Sequence, residues 1–191
     1  SNTFGIKARR TPEGLQAPAG GWPMVVFFYG GSWRSGERGD YAFVGRSLAA
    51  RGMVVVVADY RLHPEVRYPE FIEDSAQAVA WAWQQAGEWQ VNRRRVFVMG
   101  HSAGAYNAAM VALDARWLAQ HNLQPSVLAG FIGLAGPYNF LPLRVDSLKP
   151  VFGFPQTPAD SQPVLHAHAS APPSWLFTAA ADSFVSATLN T

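Results

Sequence analysis

The sequence contains no cysteine among its 191 residues, which excludes disulfide bonds, thiolate metal sites and a cysteine nucleophile. Charged residues are few, at 15% of the chain, and the formal net charge is only +2. The arginines are scattered except for a cluster at residues 93–95, which we interpret as a solvated turn. Because no basic face is evident, nucleic acid is not an expected partner.

The sequence also lacks long hydrophobic runs and a recognisable signal peptide. No apolar stretch reaches the length of a transmembrane helix. Residues 1–4 do not show the basic and then apolar layout of a secretion signal. Together with the absence of cysteine, these features predict a cytoplasmic protein. Since the chain does not begin with methionine, removal of a leader stays open as an alternative.

What the sequence does contain is an alternation of short apolar runs and amphipathic segments. The apolar runs predict strands at residues 24–29, 53–58, 96–99, 127–134 and 175–178. Unbroken runs of this kind are typical of parallel strands that are covered on both faces. Helical spacing predicts helices at residues 41–50, 69–85 and 103 to about 121. We therefore expect one α/β domain over residues 1–191, a mostly parallel sheet with helices on both faces.

Residues 137–173 show neither the unbroken apolar runs of the predicted strands nor the spacing of the predicted helices. Prolines are frequent there, and aromatic residues such as Phe140, Phe152 and Phe154 are interspersed. Long irregular segments in compact domains often form binding walls or lids. We predict a lid-like insertion over one end of the sheet.

The pattern Gly-x-Ser-x-Gly occupies residues 100–104, between a predicted strand and a predicted helix. Two glycines allow a turn so sharp that the serine stands exposed at the end of the strand. The helix N-terminus that follows favours developing negative charge. This context predicts Ser102 as a nucleophile. The alternative is an ordinary turn in which Ser102 caps the helix.

A second glycine-rich segment, residues 29–33, directly follows the first predicted strand. Paired glycines leave backbone N–H groups free to bind a substrate oxygen. We predict an oxyanion hole formed by the N–H groups of Gly31, Ser32 and Ala103. A flexible turn is the alternative interpretation.

An acid that orients the base is predicted at Asp182, at the end of the last apolar run, because ligand sites of open α/β sheets form at such strand ends. Asp146 and Asp160 are weaker candidates within the irregular segment. The expected chain order is serine, acid and then histidine, yet no histidine follows Asp182. We therefore expect that the final strand, the histidine loop and the last helix of the fold are missing from this chain.

The five histidines offer no obvious replacement for the missing base. His63 comes too early in the chain, His101 is expected to point away from the serine, and His121 suits a helix end. His166 and His168 would reach the serine only if the irregular segment folded over it.

Four segments, at residues 29–33, 59–62, 100–104 and 136–138, together resemble a known family. They are similar to the α/β-hydrolase fold, in the esterase and lipase group that includes hormone-sensitive-lipase-like carboxylesterases and kynurenine-formamidase-like enzymes. The resemblance implies a serine hydrolase that cleaves a small-molecule carboxylic ester, or a related amide such as an aryl formamide, through an acyl-enzyme. It implies no metal and no organic cofactor. A peptidase or a true lipase would share the same fold.

The resemblance also implies roles for individual residues. Ser102 matches the nucleophile and Asp182 the acid. Tyr29 stands where these enzymes often carry a histidine that braces the oxyanion loop, and we predict Tyr29 and Trp33 as substrate-binding residues. Trp33 either packs under that loop or lines the acyl pocket. The missing histidine leaves one alternative function, a non-catalytic protein that binds a small molecule on the same scaffold.

Overall fold

The computed structural model describes residues 8–10 and 12–178, which form a six-stranded sheet with helices on both faces. The strands are β1 (Ala8–Arg10), β2 (Trp22–Phe28), β3 (Val54–Ala58), β4 (Val91–His101), β5 (Gly130–Leu134) and β6 (Ser174–Phe177). Their order across the sheet is β1-β3-β2-β4-β5-β6. Within this described sheet β1 runs antiparallel to β3, and the other neighbours are parallel. The predicted α/β fold with a mostly parallel sheet is confirmed.

The α-helices of the described residues are α1 (Ala42–Ala49), α2 (Glu70–Gln85), α3 (Ala103–Leu113) and α4 (Ala115–Ala119). The step from β2 to β3 and the step from β3 to β4 run in opposite directions across the sheet. Right-handed crossovers in opposite directions place their helices, α1 and α2, on opposite faces. Helix α3 packs against α2 and therefore shares its face.

The central strands form the hydrophobic core. All five residues of β3, and Met24 to Phe28 of β2, are at most 4% exposed. A strand covered on both faces has no polar side, which explains the unbroken apolar runs. Strand β6 differs from this expectation, because Trp175, Leu176 and Phe177 are between 46% and 56% exposed at the edge of the described sheet.

Strand β4 begins at Val91, five residues before the predicted start. The pairing with β2 shifts between the Trp22–Val91 pair and the Met24–Val96 pair, so the intervening residues of β4 bulge out of register. The arginine cluster at 93–95 lies in this bulge with exposed side chains. It is solvated as predicted, but it belongs to a strand and not to a turn.

The predicted helix from residue 103 to about 121 is divided into α3 and α4. Asp114 separates them with extended backbone angles, φ −103° and ψ 106°, and its carboxylate accepts a hydrogen bond from the backbone N–H of Arg116. The Arg116 guanidinium pairs with the same carboxylate at 2.7 Å and with Asp160 at 2.8 Å. A side chain that caps a new helix offers the backbone an alternative to continuing the old one.

Residues 137–173, all of them described, contain no α-helix and no strand, only short 3-10 turns. The segment is nevertheless anchored to α3 and to the residues just before α2. The hydroxyl of Tyr106 on α3 donates a 2.7 Å hydrogen bond to the backbone oxygen of Ser161, and the backbone N–H of Tyr68 donates to Val151 at 2.8 Å. Within the described residues, no helix has the length and apolar character needed to cross a membrane.

Candidate active site

Ser102 lies on the turn between β4 and α3, and its backbone is strained. Its angles are φ 51° and ψ −119°, a region that residues with a side chain rarely adopt. The N–H of Ser102 donates to the backbone oxygen of Leu134 on β5 at 2.8 Å, which ties the turn to the neighbouring strand. Strain that persists because its surroundings enforce it is typical of functional turns.

The two glycines of the motif are required by close packing. A Cβ on Gly100 would overlap the backbone oxygen of Gly104, and a Cβ on Gly104 would overlap the backbone oxygen of Phe28 on β2. Both obstacles are backbone atoms, so they cannot rotate away. The glycines therefore let the first turn of α3 lie directly against the ends of β4 and β2.

The loop after β2 lies beside this turn. A Cβ on Gly30 would lie 3.1 Å from the Cβ of Ser102 and 2.9 Å from Nδ1 of His101. Gly31 has φ 137°, and its backbone oxygen accepts hydrogen bonds from the N–H groups of Arg34 and Ser35 at 3.0 and 3.1 Å. The fold thus brings together the two glycine-rich segments, which are about 70 residues apart in the sequence.

The N–H groups of Gly31, Ser32 and Ala103, the predicted oxyanion donors, have no hydrogen-bond acceptor among the described residues. Ala103 is the first residue of α3, where backbone N–H groups lack helical partners. Ser32, Ala103 and Ser102 line the same cavity. Unpaired N–H groups beside a serine can bind a carbonyl oxygen as it becomes negatively charged.

The cavity at Ser102 has a volume of about 370 Å³, which is near the lower end for small-molecule sites. Its other lining residues are mostly apolar and come largely from residues 137–148: Ser32, Trp33, Ala103, Pro137, Asn139, Phe140, Leu141, Pro142, Leu143, Arg144, Val145 and Leu148. The irregular segment therefore forms one wall, and the glycine-rich loop and the serine turn form the other.

The sequence left open whether Trp33 packs under the loop or lines the cavity, and in the structure it does both. It lines the cavity, yet it is only 2% exposed, and its indole Nε1 donates to Oδ1 of Asn107 at 2.9 Å. The Asn107 amide donates in turn to Oγ of Ser75 at 3.2 Å, and Ser75 donates to the backbone oxygen of Phe71 at 2.8 Å. This buried chain of hydrogen bonds fixes the loop after β2 to α3 and α2.

Asn107 was not predicted from the sequence as part of the site. The available signal was a single amide side chain within the otherwise apolar stretch of α3, and the structure shows it to be fully buried. A buried amide requires hydrogen-bond partners, so such a residue indicates a specific contact. Its partner, Trp33, is 74 residues away in the chain and could not be identified without the fold.

Tyr29 lies in the core, behind the loop, and does not line the cavity where it was predicted to bind substrate. It is 2% exposed and stacks on Tyr60 with 4.7 Å between ring centres. The Tyr60 hydroxyl donates to the backbone oxygen of Tyr29 at 2.7 Å. Burial, together with the nearby Asp59 carboxylate, raises the pKa of the Tyr29 phenol above its usual value, so this group stays protonated. Tyr29 thus supports the loop from the inside.

All five histidines lie within the described residues, and none of them lines the cavity. Nδ1 of His101 is 2.8 Å from the hydroxyl of Tyr41. His166 contacts the backbone oxygen of Asp160 at 2.7 Å, and His168 contacts the hydroxyl of Ser170 at 3.1 Å. The irregular segment therefore does not bring either of its histidines to the serine.

The predicted acid, Asp182, lies outside the described residues. The two weaker candidates are engaged elsewhere. Asp146 pairs with Lys149 at 2.7 Å, and Asp160 pairs with Arg116 at 2.8 Å. Neither of these carboxylates lines the cavity at the serine.

Known proteins match this chain over different shares of its length, and a family model covers nearly all of it. The family model BD-FAE matches residues 14–190. Isoprenylcysteine alpha-carbonyl methylesterase ICME of Arabidopsis thaliana is 30% identical over 125 residues, which are 63% of this chain and 29% of the relative. Carboxylesterase NlhH of Mycobacterium tuberculosis is 39% identical over 95 residues, 49% of this chain and 30% of the relative. The chain thus spans about 30% of the length of these curated relatives.

Solved structures of an esterase from Thermogutta terrifontis share the fold. The butyrate-bound form has a TM-score of 0.76 and 26% sequence identity, and the match covers 93% of this chain and 68% of that chain. The same esterase phosphonylated by sarin has a TM-score of 0.79 and 25% identity, with the same coverage.

Proposed function

The chain belongs to the BD-FAE family of α/β-hydrolases, and from this premise we propose that it hydrolyses small carboxylic esters through a covalent intermediate on Ser102. The observation that supports this most is the strained serine turn, which shares one cavity with the unpaired N–H groups of Ser32 and Ala103. Relatives that are named carboxylesterase and methylesterase favour the same reaction class.

In the proposed reaction, Oγ of Ser102 attacks the carbonyl carbon of the ester. The carbonyl oxygen becomes negatively charged and accepts hydrogen bonds from the N–H groups of Gly31, Ser32 and Ala103. When the intermediate collapses, the ester C–O bond breaks, and the alcohol leaves with the proton that the serine lost. Water then attacks the acyl carbon, which releases a carboxylic acid and restores the serine.

Proton transfer requires a base near Ser102. Because none of the five histidines lies at the cavity, the proposal places this base in a group outside the described residues. Asp182 remains the proposed orienting acid, with the role that a carboxylate has in holding an imidazole in the correct tautomer.

The cavity favours a compact substrate. Its volume of about 370 Å³ and the apolar side chains of Phe140, Leu143 and Trp33 suit a short acyl or alcohol group. We propose that residues 137–173 act as the lid-like wall that determines which groups fit. An aryl formamide presents a similar carbonyl group and is the related amide substrate that we propose.

The proposal is tested with the full-length protein, using p-nitrophenyl acetate and p-nitrophenyl butyrate. Ser102→Ala is expected to lower kcat by at least about 10³-fold, because removal of the nucleophile leaves only residual catalysis. Ser170→Ala removes an exposed serine hydroxyl away from the cavity and serves as the matched control. Equal turnover by the wild type and Ser102→Ala would contradict the assignment.

Covalent labelling with an organophosphate tests the same assignment independently of the turnover rates. Paraoxon is expected to add a diethyl phosphate group to the peptide that contains Ser102, and mass spectrometry locates the modified residue. Labelling at another serine, with Ser102 unmodified, would also contradict the proposal.

A further inference from the structure

The cavity at Ser102 is mostly apolar, but one residue with an ionised side chain is part of its lining. Of the described residues that form its wall, Arg144 is the one with a formal charge. Arg144 stands three residues before Ser147, within the irregular segment that faces the serine turn. A guanidinium remains protonated at any physiological pH, so this wall of the cavity is permanently positive.

Arg144 is not neutralised by a neighbouring carboxylate. None of the ion pairs found among the described residues includes Arg144. The nearest acidic residue along the chain, Asp146, is engaged by Lys149 at 2.7 Å. The guanidinium of Arg34, from the loop after β2, contacts the same segment by donating to the backbone oxygen of Ser147 at 3.0 Å, but Arg34 does not line the cavity.

We propose that Arg144 selects esters that carry a carboxylate, so that the preferred substrates are half-esters of short dicarboxylic acids or esters of small hydroxy acids. This inference rests on the proposed function of Ser102. The guanidinium presents a planar pair of N–H donors that matches the two oxygens of a carboxylate. The scissile carbonyl lies at the serine, and the carboxylate reaches toward the opposite wall.

The size of the cavity limits how the two groups are connected. A volume of about 370 Å³ accommodates a few carbon atoms between the reacting carbonyl and the carboxylate, but not a long chain. The apolar residues Phe140 and Leu143 contact this connecting part of the substrate. The preference for charged over neutral esters is therefore expected to be greatest at an intermediate number of carbon atoms between the carbonyl and the carboxylate.

The test compares pairs of p-nitrophenyl esters of equal length, with and without a terminal carboxylate, for example hemiglutarate against pentanoate. The measured quantity is the ratio of kcat/KM for the charged ester to kcat/KM for the neutral one. Arg144→Met keeps the apolar stem and removes the charge, and it is expected to lower this ratio about five- to tenfold. The exposed position of Arg144 keeps the effect moderate, and 1 M NaCl is expected to reduce it further.

Two further variants identify the cause of any change. Arg144→Lys keeps the charge without the planar pair of donors, so it is expected to restore part of the ratio. Arg94→Met makes the same change in net charge at an exposed residue of the β4 bulge and is expected to leave the ratio unchanged. An equal loss for charged and neutral esters in Arg144→Met would indicate a structural role and overturn the inference.

The outcomes separate this inference from the proposed function. Turnover of neutral esters that depends on Ser102, with no preference for charged esters, would overturn the role of Arg144 alone. Absence of turnover that depends on Ser102, with either kind of ester, would overturn the proposed function itself.

Discussion

At the scale of single residues, Asn107 holds the loop after β2 in position. Its side chain joins Trp33 to Ser75 by two buried hydrogen bonds. Asn107→Ala is expected to lower the free energy of unfolding by about 1–3 kcal/mol, because it leaves the indole N–H without an acceptor in a buried site. We also expect kcat to fall more than the affinity for substrate, since Trp33 directly follows the proposed donor residue Ser32. Chemical denaturation and steady-state kinetics of the full-length protein measure the two effects.

Ser75→Ala is the matched comparison for this prediction. It shortens the chain of hydrogen bonds at its far end but leaves the contact between Trp33 and Asn107 in place. The loss of kcat is therefore expected to be smaller than in Asn107→Ala. If both variants lost stability while keeping full kcat, the contact would be purely structural.

Single residues also show what the sequence could predict. The sharp turn at Ser102, flanked by Gly100 and Gly104, was predictable because its motif is contiguous in the sequence. The placement of Tyr29 behind the loop, and the partners of Asp59 and Arg61, were not identifiable. Asp59 and Arg61 are two residues apart in the sequence, yet Asp59 pairs with Arg38 and Arg61 pairs with Asp74 at 2.8 Å. Such pairings depend on which elements become neighbours in the fold.

Asp114 illustrates how one residue defines an element. It ends α3 and begins α4, and its side chain is only 6% exposed. Burial alone would raise the pKa of this carboxyl group. Hydrogen bonds from the side chain and backbone of Arg116, and the electrostatic interaction with His166 at 3.7 Å, outweigh burial and lower the pKa below its usual value.

A lowered pKa in the folded protein makes the contribution of Asp114 to stability depend on pH. This contribution is complete above the pKa of an aspartate in the unfolded chain, about 3.9, and is lost as the pH falls through the lower folded-state value. Asp114→Asn keeps an oxygen that can cap α4 but removes the charge that pairs with Arg116, so it is expected to cost about 1 kcal/mol at pH 7. The difference in unfolding free energy between wild type and variant is expected to shrink as the pH is lowered toward 3, measured by urea denaturation.

Asp160→Asn provides the control, because Asp160 pairs with the same Arg116 but is 48% exposed. Exposed ion pairs contribute little, so its cost at pH 7 is expected to be smaller. A difference between wild type and Asp114→Asn that stayed constant from pH 7 to pH 3 would contradict the role given to this carboxylate.

The elements themselves were largely predictable, and their ends were not. The buried strands β2 and β3 were evident from unbroken runs of valine and phenylalanine. The early start of β4 was hidden because its first residues bulge and carry exposed arginines, a pattern that resembles a turn. The division of the helix at Asp114 was missed because the apolar spacing continues through α4, whereas the break depends on a local hydrogen bond.

At the scale of the whole molecule, the site results from the topology of the sheet. The glycine-rich loop follows β2, the serine turn follows β4, and the wall at residues 137–148 follows β5. These three strands are adjacent and parallel, so their carboxyl ends meet at the same edge of the sheet. Three segments that are remote in the sequence are therefore assembled around one cavity by strand order alone.

The same topology leaves β6 at the border of the described sheet, and this predicts how the 191-residue chain behaves in solution. Trp175 and Phe177 are 46% and 56% exposed, and no strand of the described residues pairs with the outer edge of β6. A strand edge without a partner can pair with another chain. We expect self-association that increases with concentration over the micromolar range. Phe177→Lys is expected to weaken it at least about tenfold, because a charge at a strand edge opposes pairing.

Sedimentation velocity over a series of concentrations measures this association, and Leu15→Lys serves as the control. Leu15 is 51% exposed but lies outside the strands, and a single exposed apolar side chain is normal for a protein surface. The two substitutions add the same charge, so net repulsion alone would affect them equally. Weakening by Phe177→Lys but not by Leu15→Lys would locate the association at β6, whereas equal weakening, or a chain that stays monomeric throughout, would exclude this strand edge as its cause.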